Sequence, residues 1–359
     1  MTEERVVLVT GVAGFWGSRV ATQLVDRAGL YVIGLDVEAP GEEVKGLDFV
    51  QADVRNPLLA DLLEADGVDT VCHLAFVETR RPDPAAYDAN VKGTVHLLEA
   101  CAEAGVRKVV LKSSMAVYGA HADNPAFLTE AHPLRGSRRY GYTRDLIDVE
   151  KFCTGFVHRV PAPLLTILRF SNIVGPQADT PMTRFLRGAW APSLLGFDPM
   201  MQVIHEDDVV RALVHAIDHD VPGVFNVAAD GVMPLNRLRS LAGKRRVALA
   251  HPLAYWGARA LGASGHGLQR YAPVPLDDIR YPWVGDLGRM RDDLGFEPVL
   301  GAEEALRDFA ARHRGGPYPS EPVWLSRDEE RLRGIIDVRR QARVEQGAPS
   351  PAGEEAEDE

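Results

Sequence analysis

Cysteine is scarce in this sequence. Cys72, Cys101 and Cys153 are odd in number, far apart and without any Cys-x-x-Cys spacing. That excludes a disulfide framework and a zinc site, and buried thiols in a reducing compartment are expected. Long apolar runs are missing too: no stretch approaches the ~20 apolar residues of a membrane span. The opening Met1-Thr2-Glu3-Glu4-Arg5 is too charged, and the apolar run behind it too short, for a secretory signal. The expectation is a cytoplasmic chain with no membrane partner. Positive charge is also in deficit, with 40 Lys and Arg against 51 Asp and Glu and a net charge of -11. Holding nucleic acid by bulk electrostatics takes a dense positive face, so a small-molecule substrate is expected and no nucleic acid. No His, Cys or carboxylate cluster has metal-ligand spacing, and no metal is expected.

What is present is a chain of 359 residues, 46% hydrophobic and 25% charged, enough for one large domain or two intimate ones. From residue 5 to about 170, short apolar runs (RVVLVT, YVIGLD, DFVQAD, TVCHLA, VRKVVLKSS, LLTILRF) alternate with helical patterns such as 90–105. Strands buried on both faces read as continuous Val/Ile/Leu runs, so the pattern predicts an α/β fold with a doubly wound parallel sheet. After Gly175-Pro176 the order weakens. It returns in HEDDVVRALVHAI, a helix with an acidic first turn, and in the strand GVFNVAA. The expected division is a nucleotide-binding domain of residues 1–170 and 201–228 and a smaller mixed substrate domain of 171–200 and 229–316. A charged helix and a disordered acidic tail are expected over 317–359.

The strand VVLVT runs into Gly11-Val12-Ala13-Gly14-Phe15-Trp16-Gly17 and then a helix. Glycines at this spacing let the chain turn sharply, let a pyrophosphate approach the backbone and let the helix pack on the strand, with its N-terminus facing the anion. Asp36 closes the next strand about where a ribose-binding acid belongs. A carboxylate there accepts from ribose hydroxyls and repels a 2'-phosphate, so the pair selects NAD over NADP on a Rossmann fold. Asp53, at the end of the third strand, is a candidate adenine contact, though an Asp before a helix is also a common cap.

Taken in order, TGVAGFWG, LDV, QADVRNP, HLAFVE, NVKGTVHLLEAC, SSMAVYG, YGYTR, LRFSNIVGP and VIHEDDVVRA resemble the extended short-chain dehydrogenases, the NAD-dependent epimerase/dehydratase group. The resemblance covers residues 5 to about 300. It implies a cofactor site of Gly11, Ala13, Gly14, Phe15, Trp16, Gly17, Asp36, Asp53, Val54, Leu74, Ala75 and Asn90. It makes Ser114 the hydroxyl that orients the substrate oxygen, Tyr140 the acid/base and Asn172 a substrate contact. It also leaves room for a homodimer through a helix pair.

Two departures bear on chemistry. Tyr-x-x-x-Lys reads here Tyr140-Gly141-Tyr142-Thr143-Arg144, and Tyr142 has no lysine four residues on either. Arg144 therefore stands where the lysine that touches the phenol and the nicotinamide ribose is expected. A unit charge ~5 Å from a phenolate, at an effective dielectric of ~20, favours ionisation by about 3 kcal/mol, enough to bring Tyr140 near pKa ~8. The second departure follows Ser114. Sugar dehydratases of the resembled group carry an Asp-Glu pair there, and this chain has Met115-Ala116, which disfavours dehydration. The reading is an NAD-dependent epimerase or dehydrogenase of a secondary alcohol, with nucleotide sugars the suggested substrates. Its rivals are an NAD-binding sensor or scaffold without turnover and a hydroxysteroid-like dehydrogenase with an apolar pocket.

Overall fold

Seven parallel strands form the centre of the molecule: β1 (Arg5–Thr10), β2 (Leu30–Asp36), β3 (Asp48–Gln51), β4 (Val68–His73), β5 (Lys108–Ser114), β6 (Leu164–Phe170) and, later in the chain, β11 (Gly223–Val227). A computed structural model describes residues 4–160, 162–188, 191–244, 246–250 and 274–313. The strand order is β11-β6-β5-β4-β1-β2-β3, every neighbour parallel, with its reversal at the β1/β4 junction.

Alternation along the strands feeds two cores. Val7 and Val9 face one layer, where α1 (Phe15–Val25) and α7 (Glu206–Asp218) pack through Val20, Leu24, Val209 and Leu213. Leu8 faces the other, against α2 (Leu59–Ala65), α4 (Gly93–Glu103) and α5 (Gly141–Arg159) through Leu63, Leu97, Val149 and Phe156. Strands covered on both sides carry no polar alternation, which is why they read as unbroken apolar runs. The three cysteines are free and buried in these layers. Between β4 and α4 lie α3 (Pro84–Tyr87) and a π turn over Asp88–Lys92.

A third apolar cluster (Val174, Phe185, Leu186, Val203, Leu238 and Phe309 among others) gathers the segments that follow β6. Here β7 (Asn172–Val174) pairs with β10 (Val203–His205), and α6 (Pro181–Arg187), β8 (Ala191–Leu194), β9 (Met200–Met201), β12 (Met233–Pro234), α8 (Leu235–Leu241) and β13 (Arg246–Leu249) are added. The helix α6 falls in the stretch that the sequence presented as irregular. Its start is nonetheless encoded: Thr180 accepts from the Thr183 amide, Thr183 Oγ1 accepts from the Thr180 amide, and Pro181 sits in the first turn. His205 caps α7 by accepting from the Asp207 amide, and Asp208 accepts from the amides of Val299 and Leu300. The described residues, which end at His313, form one compact unit. The expected charged helix and acidic tail over 317–359 lie outside the described residues. No helix among the described residues is long and apolar enough to cross a membrane.

Candidate active site

At the C-terminal ends of β1, β2 and β4, where the strand order reverses, a cleft is lined by Gly11, Ala13, Gly14, Asp36, Asp53, Val54, Leu74 and Ala75. Two glycines make it possible. Gly11 has φ +77, and a Cβ there would meet Ala75 N at 2.7 Å; a Cβ on Gly17 would meet the Gly11 carbonyl oxygen at 2.1 Å. Gly14 differs: an added Cβ meets only the Gly11 oxygen, at 3.2 Å, so its outer side is open. Helix α1 begins there with no side-chain cap and no acid in its first turn, leaving its first N–H groups for an anion. The cradle fits a dinucleotide pyrophosphate.

Asp36 is held at the rim, Oδ2 accepting from the Ala13 amide at 2.9 Å and Oδ1 from the Val37 amide at 2.7 Å. Asp53 is engaged by Arg55, whose guanidinium and amide both donate to it and hold its carboxyl below the usual range. Not every expected cofactor residue faces the cleft. Phe15 lines a neighbouring groove, Trp16 lines a second cavity described below, and Gly17 is buried beneath the turn. Asn90 is buried behind the wall, accepting from the Val77 amide (2.7 Å) and donating to the Val77 carbonyl (2.9 Å) and Asp145 Oδ2 (2.9 Å). Buried His73 bonds Thr10 and Thr94 through its two ring nitrogens, and burial lowers its pKa to about 3.

The wall of the cleft continues from Phe76 and Val77 into Glu78, Thr79 and Arg80, which line the second cavity. That cavity brings together Ser114 from the end of β5, Tyr140 and Tyr142 from the start of α5, and Asn172 from β7. Ser114 Oγ accepts from the Ala116 amide at 3.2 Å, and Asn172 donates to the Gln202 carbonyl at 3.0 Å. Ser113, one residue earlier, points to the opposite face and donates to Glu150. Both phenols are pushed up, Tyr140 to about 12 by burial and then by Asp278, against the pull of Arg80. Tyr142 rises through burial and Glu78, and its ring stands edge-on to Phe76 at 6.5 Å.

Arg144 does not line this cavity. The motif spacing sets its charge beside Tyr140 and predicts a lowered phenol. The structure instead turns the guanidinium onto Asp145, with Nε donating to Oδ1 at 2.8 Å and the Nη2–Oδ1 ion pair at 2.7 Å, and stacks it 4.8 Å over the Tyr87 ring. Asp145 is wholly buried, and a neighbouring buried carboxylate outcompetes a neutral phenol for an arginine fork.

Two residues that no motif marks also face the cavity. Lys112 precedes Ser114 by two positions on β5, and that spacing in a strand puts both on one face. Asp278 comes from the far end of the chain, and its carboxyl is pushed up to about 8 by burial and by Asp277. Met115, where the dehydratases of the resembled group carry an acid, is wholly buried; a Cβ on Gly285 would stand 2.7 Å from its Cε. No group of three His, Cys, Asp or Glu able to hold a metal ion occurs among the described residues.

The sequence model of the NAD dependent epimerase/dehydratase family matches residues 7–228. An uncharacterised protein of Mycobacterium tuberculosis is 33% identical over 317 residues, covering 85% of this chain and 83% of that protein. UDP-glucose 4-epimerase 2 of rice is 33% identical over 189 residues, 48% of this chain and 45% of the epimerase. Among solved structures, MoeE5 in complex with UDP-glucuronic acid and NAD is 26% identical, covers 86% of this chain and 98% of its own, and superposes with a TM-score of 0.65. The UDP-glucose 4-epimerase of Thermotoga maritima, solved with UDP-glucose, shares the fold at 22% identity, 86% and 98% coverage and a TM-score of 0.67.

Proposed function

Because the chain belongs to the NAD dependent epimerase/dehydratase family, we propose that it binds NAD in the cleft over β1, β2 and β4 and acts on a secondary alcohol of a nucleotide sugar. NAD, when bound, supplies an acceptor for the hydride of the alcohol carbon and can return it. The chain's own residues do the rest. Asp36 would accept from the adenosine ribose hydroxyls, and the open N-terminus of α1 would receive the pyrophosphate. Ser114 would donate to the sugar oxygen. A phenol from the start of α5, Tyr140 by the motif or Tyr142 beside it, would take the hydroxyl proton as the C–H bond breaks.

One observation carries this reading: Ser114, both phenols and Asn172 converge on one cavity whose wall continues directly from the nucleotide cleft. The wall also carries Glu78, Arg80, Arg184 and Asp278, a charged lining that suits a nucleotide sugar better than a steroid. With Met115 buried and Ala116 in the wall, the acid and base of water elimination are not supplied from that turn. Epimerisation or simple oxidation is the chemistry proposed.

A sensor or scaffold role is the second reading, favoured by the engagement of Arg144 with Asp145. Native mass spectrometry of the purified protein, followed by incubation with UDP-glucose and UDP-glucuronic acid, separates the two. Retained NAD and epimer formation, or NADH accumulation, are expected. Retained NAD with neither product from any nucleotide sugar supports the sensor, and failure to bind NAD overturns both.

A further inference from the structure

The start of α5 offers its phenols no cation. Four residues past Tyr140 is Arg144, spent on Asp145; four past Tyr142 is Leu146, wholly buried among Val117 and Ile147. Yet the cavity does hold an ammonium. Lys112, only 8% exposed, lines it on the same strand face as Ser114, and its Nζ stands 5.2 Å over the ring of Trp16. It makes no hydrogen bond and no ion pair among the described residues. Lys108, the other lysine of β5, shows the contrast: it donates to the carbonyl of Ile217 and to Asp220. With no acceptor among the described residues, an ammonium this enclosed is left for whatever enters the cavity to complete.

We propose that Lys112 supplies from strand β5 the positive charge that Tyr-x-x-x-Lys proteins supply from the helix, and that Tyr142 is the phenol it serves. This rests on the NAD-dependent reading above. Tyr142 is the phenol on the nucleotide side, packed edge-on to Phe76 of the cleft wall, and Glu78 acts on both Tyr142 and Lys112. Tyr140 lies toward Asp278 and Arg80 instead. In the oxidation step the alcohol C–H bond breaks with its electron pair leaving as hydride to the NAD nicotinamide. The O–H proton passes to the Tyr142 phenolate, the carbonyl forms, and Lys112 keeps its own proton throughout. Its charge favours the phenolate before the transfer.

Burial brings Lys112 down to about 8, with Glu78 opposing. It is therefore largely charged at neutral pH and loses that charge in the range where turnover would fall. Glu78, Arg80, Tyr140, Tyr142, Arg184 and Asp278 face the same cavity. Glu78 is held by Arg184, and Asp278 titrates in the same range. Turnover on UDP-glucose or UDP-glucuronic acid is thus measured against pH for the parent, Lys112→Arg and Lys112→Met. Expected are a roughly 100-fold loss in Lys112→Met, at least about a tenth of parental turnover in Lys112→Arg, and an alkaline limb that Lys112→Arg moves upward by more than one pH unit. A limb unmoved in Lys112→Arg assigns it to Asp278 and overturns the proposal, as does a Lys112→Met variant within about 3-fold of the parent.

A readout independent of turnover uses the six lysines of the chain. In protein carrying isotope-labelled lysine, the resonance absent from Lys112→Arg should titrate near 8 and shift on adding NAD. A Lys112 resonance that NAD leaves unmoved overturns this inference alone. A parent that does not bind NAD overturns the underlying reading and this inference with it.

Discussion

Arg144→Met is the sharpest test of where the charge of α5 goes. In the parent the wholly buried Asp145 carboxylate receives Arg144 Nε at 2.8 Å and Asn90 Nδ2 at 2.9 Å. Methionine removes the cation and leaves the carboxylate with the Asn90 amide alone. Breaking a buried pair from one side costs on the order of 3–5 kcal/mol, and since the Asn90 bond survives we take about 3 kcal/mol. At about 2.1 cal/mol/K per residue over roughly 300 ordered residues, the unfolding entropy is about 0.6 kcal/mol/K, so Tm should fall by about 5 °C. Turnover per folded molecule should fall less than about 5-fold, because the guanidinium is outside the cavity. Adding Asp145→Asn to the variant should restore much of the lost stability, the two changes being coupled. Circular-dichroism melts of the single and double variants, with turnover measured well below Tm, make the comparison. An Arg144→Met protein that melts like the parent but has lost turnover by 100-fold would refute this account and return Arg144 to the chemistry.

Calorimetry should find NAD bound at least ~10-fold more tightly than NADP, about 1.4 kcal/mol, because the Asp36 carboxylate meets the 2'-phosphate; equal affinities would remove Asp36 from that role. Tyr142→Phe should lower turnover ~100-fold with NAD affinity nearly unchanged and Tyr140→Phe by no more than ~10-fold, and the opposite ranking would make Tyr140 the proton acceptor. His73 is held neutral, its pKa lowered to about 3 by burial; the unfolded ring takes a proton below about 6.5 and the folded one does not, so stability present above that pH is lost as pH falls through the window. The slope reaches about 1.4 kcal/mol per pH unit, or ~2 kcal/mol lost by pH 5, and an NMR titration that finds the His73 ring charging above pH 5 would contradict it.

The nucleotide half of the molecule was legible in the sequence because its determinants are local. A run such as Val6-Val7-Leu8-Val9 is a strand wherever both faces are covered, and Gly11, Gly14 and Gly17 fix a turn by their own backbone needs. The reaction cavity was legible only where a motif happened to mark it. Ser114 and Asn172 line it, while Arg144 is turned away because its partner, Asp145, is set by burial, which spacing does not reveal. Lys112 sits inside an apolar run and reads there as an interruption. Only its two-residue spacing from Ser114 on one strand face pointed at the cavity. Asp278 had no local signal at all, since folding alone brings it to the wall.

Met115 ties the chemistry open to the turn after Ser114 to the packing of the core. In the dehydratases of the resembled group an acid follows the active-site serine; here that position is a core methionine whose Cε would be 2.7 Å from a Cβ on Gly285. An aspartate at 115 would place a carboxylate in that buried position, at a cost of several kcal/mol. A variant carrying it is therefore a destabilised protein before it is a new enzyme. Packing, and not only the absence of two functional groups, therefore sets a stability cost on any change of residue 115 toward an acid.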